Sequence, residues 1–175
     1  MVYVAASWRQ GEDAIQMALQ VANNQGKLQA LSKIERDVCE SESNARGFIL
    51  TENKAFVRQQ AKANQELKAT FKQASQLLHD SPNQAANLKT LNDALTSKQA
   101  LIQNSIALSK LGNSTAAKEI VNLPSVAAME RLSNILDHLK AQSNQQLETN
   151  IRTLDQATQW ARSFVFVAGA GLVGL

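Results

Sequence analysis

Residues Glu40–Phe56 read ESESNARGFILTENKAF, and this stretch decides how the chain folds. Glu42 and Arg46 stand four apart, where opposite charges share a helical face and add about 0.2–0.5 kcal/mol. The planar fork of Arg46 would also suit a ligand carboxylate, but the local pair predicts a structural tie. Gly47 lowers helix propensity, so its presence predicts that a backbone or a large side chain comes close there. Phe48, Ile49 and Leu50 read as a hydrophobic cap for the tip of a helical bundle. Thr51 then precedes Glu52, Asn53 and Lys54, so its hydroxyl can accept an exposed backbone N–H and cap a new helix. One helix ends here and another begins.

Outward from this break, apolar residues recur at intervals of three and four, the signature of amphipathic helices. Leu28, Leu31, Ile34 (or Glu35) and Val38 form the stripe of the first helix, and Phe56, Ala63, Leu67, Phe71, Ala74 and Leu78 that of the second. Leu88, Leu91, Leu95, Ile102 and Ser105 mark the third. In the last, Met129, Leu132, Leu136, Leu139, Leu147, Ile151 and Leu154 share a stripe that Ser143 and Gln146 interrupt. Such stripes are core rather than cofactor boxes.

Further breaks fall at His79–Pro82, with Asp80 or Ser81 as cap and Pro82 at the first helical position, and at Gly112–Ser114. Pro124 lies inside the fourth helical stretch, which predicts a kink or short break around Leu123 and a candidate hinge. With only seven Gly and two Pro in 175 residues, and few sheet formers, the expected class is all-α: an elongated up-down-up-down four-helix bundle. Helices of about 43, 28, 30 and 46 residues, alternately outward and back, sum to nearly zero rise, returning both ends to one plane and lifting the Pro82 turn roughly 20 Å above it.

The two ends match that geometry. MVYVAAS is followed by Trp8 and Arg9, while Trp160 and Arg162 precede FVFVAGAGLVGL. Each apolar end has the shape of part of a membrane span, flanked by an interfacial aromatic and a snorkelling cation. The expected organisation is the end of a first transmembrane helix at 1–7, a four-helix domain at 8–160 and the start of a second transmembrane helix at 161–175, the outer bundle helices running on into the spans. Below the Pro82 turn only helices one and four continue, and so thin a stem predicts a parallel homodimer.

The formal charge of +3, spread along the chain without interleaved aromatics, argues against nucleic-acid binding. Lys54, Arg58 and Lys62 repeat at four along the second helix; the stripe reads as a solvated face, with attraction of an anionic ligand or partner as the alternative. The single cysteine, Cys39, reads as a half-buried helical thiol without function, and His79 and His138 are isolated, so no metal or cofactor is expected. Phosphate-binding loops, nucleophile elbows and metalloprotease motifs are absent from the sequence, and no enzymatic activity is expected.

The run from Glu40 to Thr51 resembles the signature of the third type of CHASE domain, a sensory domain of bacterial receptors. Its first helix ends in an acidic residue, a gap, and an Arg-Gly-aromatic-Leu-Leu-Thr-Gly run; Glu42, Arg46, Gly47, Phe48, Leu50 and Thr51 stand at matching places. Asp80, Pro82 and Gln84 resemble the family's Asp-Asn-Pro-x-Gln turn, Ile106–Gly112 its Ile-x-Leu stretch, and Met129–Arg131 its Met-Asp-x-x-Arg region. The resemblance implies an extracytoplasmic input module, on the periplasmic side of the bacterial inner membrane, feeding a kinase, cyclase or chemotaxis output outside this chain. The alternatives are the four-helix input domain of a chemotaxis receptor and a membrane-tethered helical scaffold that senses nothing.

Overall fold

The computed structural model describes the backbone at residues 2–79 and 82–172, and side chains at 12, 14–79, 86–156 and 159. Among the described residues five helices follow in order: α1 (Val2–Thr51), α2 (Lys54–Leu77), α3 (Pro82–Lys110), α4 (Ser114–Asn122) and α5 (Pro124–Leu172). The described residues contain no strand. The expected fourth helix is divided at Leu123. Pro124 has no N–H, and its ring opposes the carbonyl four residues back; α4 stops there, with the Leu123 N–H bonded to Glu119 O at 3.3 Å, and α5 starts on the proline.

The chain forms two compact units, Lys27–Ala141 and Met1–Gly26 with Gln142–Leu175. In the first, Asp37 of α1 meets Thr70 of α2, while Ser41, one turn further on, meets Asn64, an earlier residue. The two helices are therefore antiparallel. Glu35 with Lys140 and Glu42 with Ser125 give the same reversed order for α1 and α5. The bundle is up-down-up-down, and its core joins Leu31, Ile34 and Val38 to Leu67, Leu78, Leu91, Leu132 and Leu136. Each such side chain stabilises the fold by about 1.5–3 kcal/mol through burial. Smaller clusters lie around Ala45, Phe48, Ile102 and Ile106, and around Ile49, Ala117 and Val121.

The second unit is a pair of helical segments from α1 and α5. It buries Asn24 and Ser143 but leaves Ile15 61 %, Leu19 58 % and Ile151 40 % exposed. Among the described residues no helix is long and apolar enough to cross a membrane.

The turns follow local chemistry. After α3, Gly112 takes φ 80°, the Asn113 N–H bonds Leu108 O at 2.9 Å and the Gly112 N–H bonds Ser109 O at 3.0 Å, the double closure of a glycine-terminated helix. After α1 the expected cap is corrected: Asn53, not Thr51, caps α2, its side chain accepting the Ala55 N–H at 2.9 Å. Thr51 is still helical; its hydroxyl donates to Gly47 O at 2.6 Å and accepts the exposed Asn53 N–H at 3.3 Å as expected, but that N–H belongs to the cap residue and not to α2. A residue with helical backbone cannot also cap the next helix.

Candidate functional site

Two residues of opposite charge occupy core positions. Lys98 falls between Leu95 and Ile102 at intervals of three and four, and Glu42 lies four after Val38. Both are drawn inside, and each is the other's counter-ion: Lys98, 0 % exposed, holds Glu42 Oε2 at 2.6 Å. Its other two donors go to the Ser125 carbonyl and hydroxyl oxygens, both at 2.7 Å. All three ammonium hydrogens are satisfied. The Ser125 hydroxyl donates to Glu42 Oε1 at 3.1 Å, and Arg46 Nη2 donates to the same oxygen at 2.9 Å. Burial alone would push the Glu42 carboxyl up; hydrogen bonds from Lys98 and Arg46, the Lys98 charge and the Ser125 hydroxyl outweigh it and hold the group below its ordinary range.

This network lies beside the Leu123 break. Ser125 is the second residue of α5, so the Glu42 carboxylate sits near a helix N-terminus, where negative charge is favoured. Arg46 Nη2 also reaches Val121 O at 3.4 Å, one of the last carbonyls of α4, which the helix itself leaves unsatisfied. Four helices are thus joined through polar groups at one level: α1 by Glu42 and Arg46, α3 by Lys98, α4 by Val121 and α5 by Ser125.

The neighbouring positions explain themselves. A Cβ on Gly47 would lie 2.8 Å from Cδ1 and Cε1 of Phe56, so the glycine admits the ring by which α2 packs on α1. Glu52 takes φ 57°, with its N–H on Phe48 O at 2.7 Å, a left-handed helix end that costs a side-chain-bearing residue about 1–2 kcal/mol. Two clefts flank Arg46. One, of about 120 Å³, is lined by Arg46, Ile49, Leu50, Lys118, Val121 and Asn122. The other, of about 480 Å³, is lined by Glu42, Arg46, Val126, Met129, Glu130 and Ser133.

The family model for the CHASE3 domain matches residues 18–153, well over half of the chain and the whole of this site. The chain belongs to the CHASE3 domain family. It is also similar to the crystal structure of the Rhodopseudomonas palustris histidine kinase HK9 sensor domain, with a TM-score of 0.65 and 25 % identity, covering 70 % of this chain and 97 % of that one. No curated protein matches it. A CHASE3 domain is an extracytoplasmic sensory input module.

Within this CHASE3 domain the signature residues divide. Glu42 and Arg46 meet at the network, Gly47 lies against the Phe56 ring instead, and Phe48 and Ile49 are buried as the expected cap, but Leu50 is 72 % exposed and is corrected to the surface. It is one position past Ile49, so it turns away when Ile49 faces inward. Pro82 opens α3 as expected, and Gln84 lies in the first turn; their side chains, and all of Asp80, fall outside the described residues. Lys54, Arg58 and Lys62 are exposed along α2, and Lys62 lies 3.7 Å from Glu66. Cys39 is exposed rather than half-buried; partial desolvation, then the Glu35 and Glu42 carboxylates, push its thiol up. Among the described residues no group of His, Cys, Asp or Glu could hold a metal ion.

Sequence reading missed Lys98 and Ser125. The signal was present: Lys98 interrupts the third stripe at a core register and Glu42 extends the first, two opposite charges at positions that must be buried. A second polar contact was missed for the same reason. Asp37, 2 % exposed, accepts from Thr70 at 2.8 Å and from Lys33 at 2.7 Å.

Proposed function

We propose that this CHASE3 domain is the extracytoplasmic input module of a bacterial transmembrane signalling receptor, and that it passes a change in helix packing to a cytoplasmic output domain. The family match over residues 18–153 carries the reading. The geometry supplies a route. From Pro124 to Leu172 α5 runs without a break, and its second residue is held by Glu42 and Lys98. A helix so tied at one end can respond only by shifting, tilting or rotating as a body, with Leu123–Pro124 as the hinge. No step in this role requires catalysis by the chain itself.

The same reading makes the receptor a parallel homodimer anchored in the inner membrane, with α1 and α5 leading into the spans. Ile15, Leu19 and Ile151 support it, because a lone pair of helices has no other way to cover them. Cross-linking in the full-length receptor tests both parts. Leu19→Cys and Leu154→Cys, each in a Cys39→Ser background, should form disulfides between copies, and stimulation should change their yield along a helical pattern. Absence of cross-links at every position of 12–26 and 142–156 removes the dimer; cross-links that no stimulus alters, with constant output, favour the scaffold reading instead.

A further inference from the structure

The smaller cleft beside Arg46 has a composition that the polar network around Glu42 and Lys98 does not explain. Its floor is apolar: Ile49 and Val121 are 5 % and 7 % exposed and belong to the cluster with Ala117 and Leu108. Leu50 forms part of the rim, 72 % exposed. Two cations, Arg46 and Lys118, line it with no carboxylate among the lining residues. Lys118 pairs with no acid among the described residues. Arg46 uses only Nη2 on the protein, for Glu42 and Val121, which leaves Nε and Nη1 for another acceptor. Like charges sharing a cleft repel, and one anion between them stabilises both. The larger cleft differs in this respect, since it contains Glu42 and Glu130.

We propose that the cleft between α1 and α4 binds a short-chain aliphatic monocarboxylate, its carboxylate between Arg46 and Lys118 and its hydrocarbon tail on Ile49, Leu50 and Val121. Size limits the ligand: a cavity of roughly 150 Å³ takes a benzene, so about 120 Å³ accommodates a chain of about four carbons. Polarity limits it too. A second carboxylate would lie on the apolar floor without a partner, and inorganic phosphate would leave that floor uncovered. Occupancy would fasten α4 to α1 immediately before the Leu123 break, on the carbonyl that Arg46 already holds. The physiological meaning of the site rests on the sensory role proposed above; the binding itself does not.

Isothermal titration calorimetry on the 175-residue chain, with butyrate as the probe, tests the site. Binding should be saturable at one per chain, tighter than acetate by about fifteenfold, since each of the two extra buried methylenes is worth roughly fourfold, and absent for the neutral isostere butyramide. Lys118→Gln, on an exposed side chain that no core contact needs, should weaken butyrate about tenfold with an unchanged melting temperature, and Lys118→Arg should restore it. Equal binding of butyramide, equal binding of phosphate, or no loss in Lys118→Gln overturns the proposal. Butyrate binding with a receptor output that ignores butyrate would leave the site standing and remove its sensory role.

Discussion

The two units of the domain use the same sequence pattern to different ends. In Lys27–Ala141 four helices close on one another, and the stripe positions Leu31, Leu67, Leu91 and Leu132 are all buried. In the unit of 1–26 and 142–175 two helical segments face each other, and stripe residues such as Ile151 remain 40 % exposed. A helix buries about as much of its stripe as its neighbours can cover, so two helices cannot complete what four can. Polar groups differ likewise. The four-helix unit satisfies Lys98 with three acceptors, and its Glu42 with three donors, which a two-helix pair has too few elements to surround.

The contrast is broken most severely at Lys98. Lys98→Ala strands Glu42 without its main partner and should cost about 3–5 kcal/mol in urea unfolding; a loss under about 1 kcal/mol would mean the network does not hold the four-helix unit. Pairing Lys98→Met with Glu42→Gln should recover part of that loss, since no charge is then left uncompensated.

Acid should act on the same point. The folded Glu42 carboxyl lies below its ordinary value, so its contribution is present above the unfolded pKa of about 4.3 and is lost as pH falls toward the folded value. Melting temperature below pH about 4 should therefore drop more steeply in the parent than in Glu42→Gln. Parallel curves would show that the carboxylate contributes nothing specific.

A smaller effect is expected at Arg46, whose guanidinium is partly solvated. Arg46→Ala should lower stability on the order of 1 kcal/mol, from a local ion pair and the packing of its stem, and should disturb basal receptor output at the same time. Full stability and basal output with a lost response to stimulus would make Arg46 a ligand contact alone. The smallest effect belongs to the two-helix unit. Leu19→Ala in the isolated chain should stay within about 0.5 kcal/mol, whereas in the full-length receptor it should reduce cross-linking at neighbouring positions.

Periodicity at three and four, few glycines, and punctuation at Thr51, Pro82, Gly112 and Pro124 are local properties of the chain. They were enough to determine an all-helical bundle, its turns and the division at Leu123, because helix formation, capping and proline sterics act within a few residues. The pairing of Glu42 with Arg46, and the close approach at Gly47, were legible for the same reason. The identity of the α2 cap was not, since Thr51 and Asn53 both have capping chemistry and only the backbone at Glu52 chooses between them. Lys98 meeting Glu42 and Ser125 joins residues 56 and 27 positions apart in sequence, and no local rule connects them. Tertiary structure decided that network and the cleft beside Arg46, because which charge is buried, and against what, depends on the helix that packing brings opposite it.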